Sequence, residues 1–323
     1  MKVLFVASGN SSEFDIVPFI RRQGESLTNL GVDIDYFPIK GKGVWGYVKS
    51  ARRLKEYLKK NPVDIIHAHY TLSGWCAVLS LAKQPVIVSL MGSDAYGEFI
   101  GVNKIKFTSR YLTLLTALLQ PFVKAIICKS SYIESFVFSK KKSQVIPNGI
   151  IFEKVTCYGH GFQERLGLEK DRKYVLFLGD KRNTRKNYRL AEEAVRLINA
   201  DDVSLITPYP VSHEDVVKYL NTADVLILTS FMEGSPNVVK EAMACNCPIV
   251  TTDVGDVKWV LGNTEGCFIA SFDPIEFAQK IKLALDFSEK KGRTMGRERI
   301  RELGLDAETV ARKILAVYRK VLC

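Results

Sequence analysis

The chain has 323 residues, enough for two domains of ordinary size, and 47% of them are hydrophobic, enough for two cores. No segment approaches the apolar length of a membrane span, and the run before Ser8 and Gly9 is too short for a signal peptide, so a cytoplasmic protein with seven reduced, mostly buried cysteines is expected. The net charge of +11 is lopsided: residues 1–165 carry 22 Lys and Arg against 12 Asp and Glu, while the remainder is nearly balanced. No nucleic-acid motif accompanies that charge, so nucleic acid is not an expected partner.

In chain order, the run Val3 to Val6 reads as a first strand, ending in the small, polar loop Ser8-Gly9-Asn10-Ser11-Ser12. The fingerprint Gly-x-Gly-x-x-Gly is absent, and the loop is either an ordinary lead into a helix or a place where Gly9 and Asn10 approach a donor phosphate or sugar. A helix over Val17 to Leu30 and a strand over Asp33 to Phe37 follow; the Asp33-Ile-Asp35 triplet is strand polarity, with no metal needed. From Lys40 a glycine loop carrying Trp45 and Tyr47 runs into a basic helix, Tyr47 to Lys60. Cations and interfacial aromatics together suit an anionic membrane surface, the alternative being a solvated helix face.

The third strand, Ile65 to His67, ends in His67-Ala68-His69. No third ligand is visible for a metal, so a polar pocket lining is the better reading; His69, beyond the apolar run, is expected to be the freer of the two. After a helix over Ser73 to Ala82, the strand Val86 to Leu90 leads into Met91-Gly92-Ser93-Asp94, where Gly92 permits close backbone approach and Asp94 either orients an acceptor hydroxyl or caps a helix. A helix over Lys104 to Phe122, strands at Ala125 to Cys128 and Gln144 to Ile146, and the tight turn Pro147-Asn148-Gly149 come next. Beyond an irregular stretch from Ile150 to Lys170, a second series has strands at Tyr174 to Leu178, Val203 to Ile206, Val225 to Leu228, Pro248 to Thr251 and Cys267 to Ile269. The last helix, Ala307 to Val321, is amphipathic through Val310, Ile314, Val317 and Val321. Such alternation predicts two α/β domains with parallel, doubly wound sheets: residues 1–165, residues 166–305, and a terminal helix over 306–323.

The most informative segment is Phe231-Met-Glu233-Gly-Ser235-Pro236-Asn237-Val238-Val-Lys-Glu241-Ala-Met-Ala244. Ser235 is a natural N-cap and Pro236 fits the first helical position, so a helix is expected to open there, its first amides at Asn237 and Val238 offering a receptor for phosphate. Glu241, a turn and a half inside, leans back toward a sugar attached to that phosphate. The two glutamates with seven residues between them, the Gly-Ser-Pro cap and the following Ala-Cys-Asn-Cys-Pro-Ile-Val-Thr-Thr-Asp resemble the motif of retaining group 1 (family four) glycosyltransferases of the GT-B fold. Cys245 and Cys247 in that run lack the spacing of a zinc site.

The resemblance implies two Rossmann-like, doubly wound domains facing across a cleft that closes on the substrates, with the terminal helix bracing the first domain. It further implies transfer of a sugar from a nucleotide-diphosphate donor, a UDP- or GDP-sugar, to a hydroxyl acceptor with retention, with no metal or cofactor. By the same resemblance Glu241 binds the ribose, the amides bind the diphosphate, and Glu233 lies beside the donor sugar, where it holds or polarises the ring. A similar His-Ala-His occurs in relatives, whereas Met91 replaces the histidine that usually contacts the donor sugar; His69 is a candidate to supply the missing group. In Gly179-Asp180-Lys181-Arg182-Asn183-Thr184-Arg185-Lys186 the family lysine is Lys186, but Asp180 stands where an arginine is expected. Lys181, Arg182 or Arg185 then substitutes, and Arg182 is taken as the donor-binding candidate. The nucleobase is expected against Thr207 to Val211, with backbone groups near Val211 reading its edge. The expected acceptor is a glycan or lipid-linked glycan of the cell envelope, with the enzyme peripheral at the inner face of the membrane. Two other readings remain: a non-catalytic nucleotide-sugar sensor on the same scaffold, and a nucleotide-sugar epimerase of similar shape.

Overall fold

A computed structural model of the chain describes residues 1–11, 14–41, 43–158 and 162–323, with Val44 described by its backbone only. Its first half contains β1 (Lys2–Ser8), α1 (Pro18–Thr28), β2 (Asp33–Ile39), α2 (Gly43–Lys60), β3 (Ile65–His69), α3 (Thr71–Leu79), β4 (Val86–Leu90), α4 (Ser93–Tyr96), β5 (Phe99–Gly101), β6 (Lys104–Ile105), α5 (Arg110–Leu119), β7 (Ala125–Cys128), α6 (Ser131–Ser135) and β8 (Ser143–Val145). The second half contains β9 (Lys173–Phe177), α7 (Tyr188–Ile198), β10 (Val203–Ile206), α8 (His213–Thr222), β11 (Val225–Leu228), α9 (Asn237–Ala244), β12 (Ile249–Thr252), α10 (Val257–Leu261), β13 (Cys267–Ala270), α11 (Pro274–Lys291), α12 (Gly296–Glu302) and α13 (Ala307–Leu322).

These elements form two compact units. The first comprises Met1–Glu98, Lys106–Gly149 and Ala307–Cys323; the second comprises Phe99–Ile105 and Ile150–Asp306. The boundary therefore lies at Gly149 and not at residue 165. Ile150 donates its N–H to the Leu305 carbonyl at 2.8 Å, and Ile150 and Val155 are buried with Ile300 and Leu305, so the irregular stretch packs on the second unit.

In the first unit the sheet order is β2-β1-β3-β4-β7-β8, with every ladder parallel. Val3 to Val6 are wholly buried because helices cover both faces, which is why these strands read as unbroken apolar runs and not as alternating ones. Helix α13 returns to this unit, placing Val310, Ile314, Val317 and Tyr318 against Phe5, Ile65 and α1. The second unit has the order β10-β9-β11-β12-β13, again all parallel, with one core under α8, α9 and α10 and another under α7 and α11. In each sheet the chain reverses direction of growth after its second strand, so the crevices at the carboxyl ends of β1 and β3, and of β9 and β11, are the natural ligand positions.

Two local expectations are corrected. The segment expected to be helical from Lys104 starts as a hairpin, β5–β6, turned by Asn103 in the left-handed conformation (φ 55°), and only Arg110–Leu119 is α-helical. Helix α2 begins at Gly43, four residues before the expected start at Tyr47. Ser12 of the first loop and Lys42 of the basic loop lie outside the described residues. Among the described residues no helix is long and apolar enough to cross a membrane.

Candidate functional site

The loop between β11 and α9 sits at the crevice of the second sheet. Helix α9 opens at Asn237, with Pro236 as its cap residue (φ −69°, ψ 116°) and no side chain capping it. Ser235 is therefore not the N-cap. Its hydroxyl donates to Asp256 Oδ2 at 2.6 Å and accepts from Lys240 Nζ at 2.6 Å, so this group is claimed from both sides. Lys240 is wholly buried, and burial lowers its pKa against the pull of Asp256 and Glu241. Burial also raises the Asp256 pKa, opposed by Lys240 and the Ser235 hydrogen bond. Gly255 lies directly against the loop; with φ 62°, a Cβ there would meet the Glu233 and Gly234 carbonyl oxygens at 2.7 Å. The entrance to α9 is thus fixed by a buried Lys–Ser–Asp relay on one side and backbone contact on the other. By helix geometry the first-turn N–H groups of α9 at Val238 and Val239 have no carbonyl partner within the helix, and the positive end of the helix dipole lies there.

Glu233 is nearly buried and accepts three hydrogen bonds: Lys186 Nζ at 2.7 Å, Arg185 Nη1 at 2.5 Å and Ser230 Oγ at 2.8 Å. Burial pushes its pKa up, but the charges of Lys186 and Arg185 outweigh this and hold it below the ordinary carboxylate value. The cations come from the short turn Thr184–Lys186, which is stapled to the loop where Phe231 N–H donates to Arg185 O (2.9 Å) and Thr229 Oγ1 donates to Lys186 O (2.9 Å). Arg185 also donates to the Met232 carbonyl at 3.1 Å. Arg182, the expected substitute for the missing arginine, instead pairs with Asp180 through Nε and Nη2, both at 3.1 Å, and its side chain is 89% exposed. Lys181 lies over the Tyr188 ring, 4.8 Å from its centre. The cation that meets Glu233 beside Lys186 is Arg185.

Glu241 lies on the next turns of α9, where its Oε1 is 2.9 Å from His213 Nε2. No local feature of the sequence marks His213 as a site residue. It is the first residue of α8, directly after the Ser212 cap that accepts from Asp215 N–H, so the Thr207–Val211 loop delivers it to Glu241. Val211 is half-buried next to that cap, and Tyr209 is exposed.

In the first unit, Asn10 clamps the neighbouring loop: its Nδ2 donates to Gly41 O at 2.9 Å and its Oδ1 accepts from Gly41 N–H at 2.8 Å. Gly9 packs so closely on Pro38 that a Cβ would lie 2.6 Å away. The freer histidine expected at position 69 is not found, because β3 extends through His69 and buries it; both its ring nitrogens lack a partner among the described residues. His67 is buried too, sharing hydrogen bonds with Tyr318 Oη (2.6 Å) and Ser89 Oγ (2.8 Å), and burial pushes its pKa down to about 3. The two imidazoles stack with centres 4.3 Å apart, and burial together with its neighbour also drives His69 well below its usual value. Asp94 is wholly buried and committed to the backbone, accepting from Met91 N–H (3.0 Å), Gly92 N–H (2.8 Å) and Thr71 N–H (3.1 Å); burial raises its pKa to about 6 despite these bonds. It ties the loop after β4 to the start of α3. Gly92 takes φ 137°, and a Cβ there would strike the Tyr96 hydroxyl, while Ser93 Oγ lies 3.4 Å from Tyr70 Oη. Among the described residues no group of three or more His, Cys, Asp and Glu could hold a metal.

Two family models match the sequence. Glycosyltransferase Family 4 matches residues 3–154 and Glycosyl transferases group 1 matches residues 168–286, together most of the chain. The chain belongs to this family of glycosyltransferases and is of the GT-B type. Solved structures share the fold over the full length: sucrose-phosphate synthase from Thermosynechococcus elongatus, 19% identical, covers 99% of this chain and 98% of its own with a TM-score of 0.76. A glycosyltransferase from Rickettsia africae is 13% identical, with 99% and 98% covered and a TM-score of 0.74. Anabaena HepE, in complex with UDP and glucose, is 14% identical, with 98% of each chain covered and a TM-score of 0.68. None of the curated proteins matches the chain.

Proposed function

We propose that the protein transfers a hexose from a UDP- or GDP-sugar, with retention, to a hydroxyl of a glycan or lipid-linked glycan in cell-envelope synthesis at the inner face of the membrane. The observation that carries this reading is the convergence of Arg185 and Lys186 on Glu233 beside the opening of α9. Charge grows on the leaving diphosphate as the glycosidic bond breaks, and preorganised cations and amides stabilise it without reorganisation. Lys186 and Arg185 supply the cations, and the first turn of α9 supplies the amides.

Glu233 is ionised and holds both cations in place before substrate arrives, so its role is to set the donor pocket and contact the sugar; it is not assigned as a nucleophile. Glu241, held by His213, is positioned to accept hydrogen bonds from ribose hydroxyls. The solved HepE complexes with UDP, glucose and UDP-glucose make a UDP-sugar the first donor to try. Thermal shift with UDP, GDP and their sugars, followed by assay of nucleoside diphosphate release, tests the reading. Stabilisation by a donor together with release of its nucleoside diphosphate is expected. No shift with any nucleotide would overturn it, and binding without release would favour the sensor, a reading that Met91 in place of a hydrogen-bonding histidine supports.

A further inference from the structure

Helix α5 is apolar on its outer side as well as on its inner side, where Leu119 is buried. Its buried side carries Thr116, whose hydroxyl donates to Asp94 O at 2.6 Å and meets Thr71 Oγ1 at 2.6 Å, while its outer side carries Tyr111, Leu114 and Leu118, each more than half exposed. The same line continues to Phe122, three turns from Tyr111, and the turn before the helix adds Phe107, 79% exposed. Phe138, also exposed, is held beside the end of the helix because its N–H donates to Gln120 Oε1 at 3.0 Å. A contiguous apolar stripe of this kind on a water-soluble surface calls for a partner.

Its charge surroundings say which. Between Glu98 and Glu134 the sequence contains no Asp or Glu, while Lys106, Arg110 and Lys124 flank the stripe and Arg110 lies over the Phe107 ring at 5.7 Å. At the far end is a pocket of about 280 Å³ whose lining includes Lys124, Lys141, Lys142 and Lys320 and no acidic side chain. Lys142 joins the two features, donating to the carbonyls of Pro121 (3.2 Å) and Val123 (3.0 Å) just past α5. Helix α2, the basic helix singled out in the sequence, exposes only Trp45 among its described large apolar side chains.

We infer that the outer face of α5 and the lysine-lined pocket at its end form a docking surface for an anionic lipid bilayer, with the apolar stripe entering the interface and the pocket taking a lipid phosphate. The two contributions are of the kind that act together at membranes: apolar burial supplies depth, and cations select the anionic headgroup. This deepens the proposed role at a lipid-linked acceptor and rests on that reading for its purpose, although the surface itself is argued from the first unit alone.

The test is sedimentation of the full chain with vesicles of phosphatidylcholine alone or mixed with phosphatidylglycerol, alongside Leu114→Ser/Leu118→Ser and Lys124→Glu/Lys141→Glu. The wild-type chain should pellet with the anionic vesicles only, and each double variant should bind at least about tenfold more weakly, since each removes one contribution. UDP-induced thermal shift of the variants should equal the wild type, showing that they fold. Equal recovery with both vesicle types, or full binding by the leucine variant, overturns the proposal. So does a concentration-dependent dimer that the leucine variant abolishes, because a second copy would then cover the face. Vesicle binding without nucleotide binding would leave this surface standing while removing the transferase reading, and the converse result would do the opposite.

Discussion

Arg185 Nη1 lies 2.5 Å from Glu233 Oε2, while Arg182, three residues earlier and outside the Thr184–Lys186 turn, is exposed and pairs with Asp180. One arginine is built into the site and the other decorates its rim, and the sequence alone does not distinguish them.

Arg185→Ala is therefore expected to lower turnover at least about tenfold, as is Lys186→Ala, since each removes a preorganised cation from the developing charge on the diphosphate. Arg182→Ala should leave turnover within about twofold of wild type, because a charge this exposed is screened and contributes little. Steady-state assay of nucleoside diphosphate release on the three variants checks this. An inactive Arg182→Ala beside an active Arg185→Ala would reverse the assignment.

Lys240 presents a different expectation, since it is buried behind the site and reaches Asp256 through Ser235. Lys240→Met should destabilise the second unit by about 3 kcal/mol, the usual cost of leaving a buried partner charge uncompensated. Adding Asp256→Asn removes that charge and should restore most of the loss. Urea unfolding of the two single variants and the double variant measures the coupling; additive effects would show that the relay is not a unit.

His67 gives a pH dependence of definite sign. Burial lowers its pKa from 6.5 to about 3, so the native state favours the neutral imidazole, and the stability it contributes is present above 6.5 and lost as pH falls toward 3. Asp94, raised from 3.8 to about 6, works in the other direction: its contribution is present below 3.8 and lost as pH rises through 6. Between about pH 4 and 6 the two slopes oppose, each approaching about 1.4 kcal/mol per pH unit. His69, driven in the same direction, keeps its own acid-side loss, so replacing His67 with Gln removes one of the two imidazole losses that oppose Asp94, and the rise in melting temperature from pH 4 to 6 should be markedly shallower in that variant than in the wild-type chain. A fall on acidification as steep as that of the wild-type chain would contradict this account.

What could be read from the chain and what could not divides along the range of the interactions. The strand Val225–Leu228 and the helix after it are written in local apolar runs and periodicity, so the order strand, loop, helix was legible. The fate of Ser235 was not, because the competitors for its hydroxyl, Lys240 and Asp256, act through tertiary packing that overrides the local capping preference. The choice of Arg185 over Arg182 depends on the backbone staple from Phe231 and Thr229. The sequence makes His69 the freer of the two histidines because it lies beyond the apolar run, yet its pairing with β4 continues, His69 opposite Ser89, and carries the ring into the core. The β5–β6 hairpin was hidden by a short, cation-rich run whose turn rests on one left-handed asparagine.

The hydrogen bond between Tyr318 and His67 has a consequence for how the polypeptide is made. The innermost strands of the first unit emerge early in synthesis, but α13, whose Tyr318 reaches His67 and which seals Phe5 and Ile65, leaves the ribosome only after the whole of the second unit. A nascent chain released at Gly149 would carry an unsealed apolar surface and an imidazole with one of its two partners missing. Maturation of the earlier-made unit thus waits on a helix synthesised after the second unit, and fragments ending before Ala307 should be substrates for chaperones and not autonomous domains.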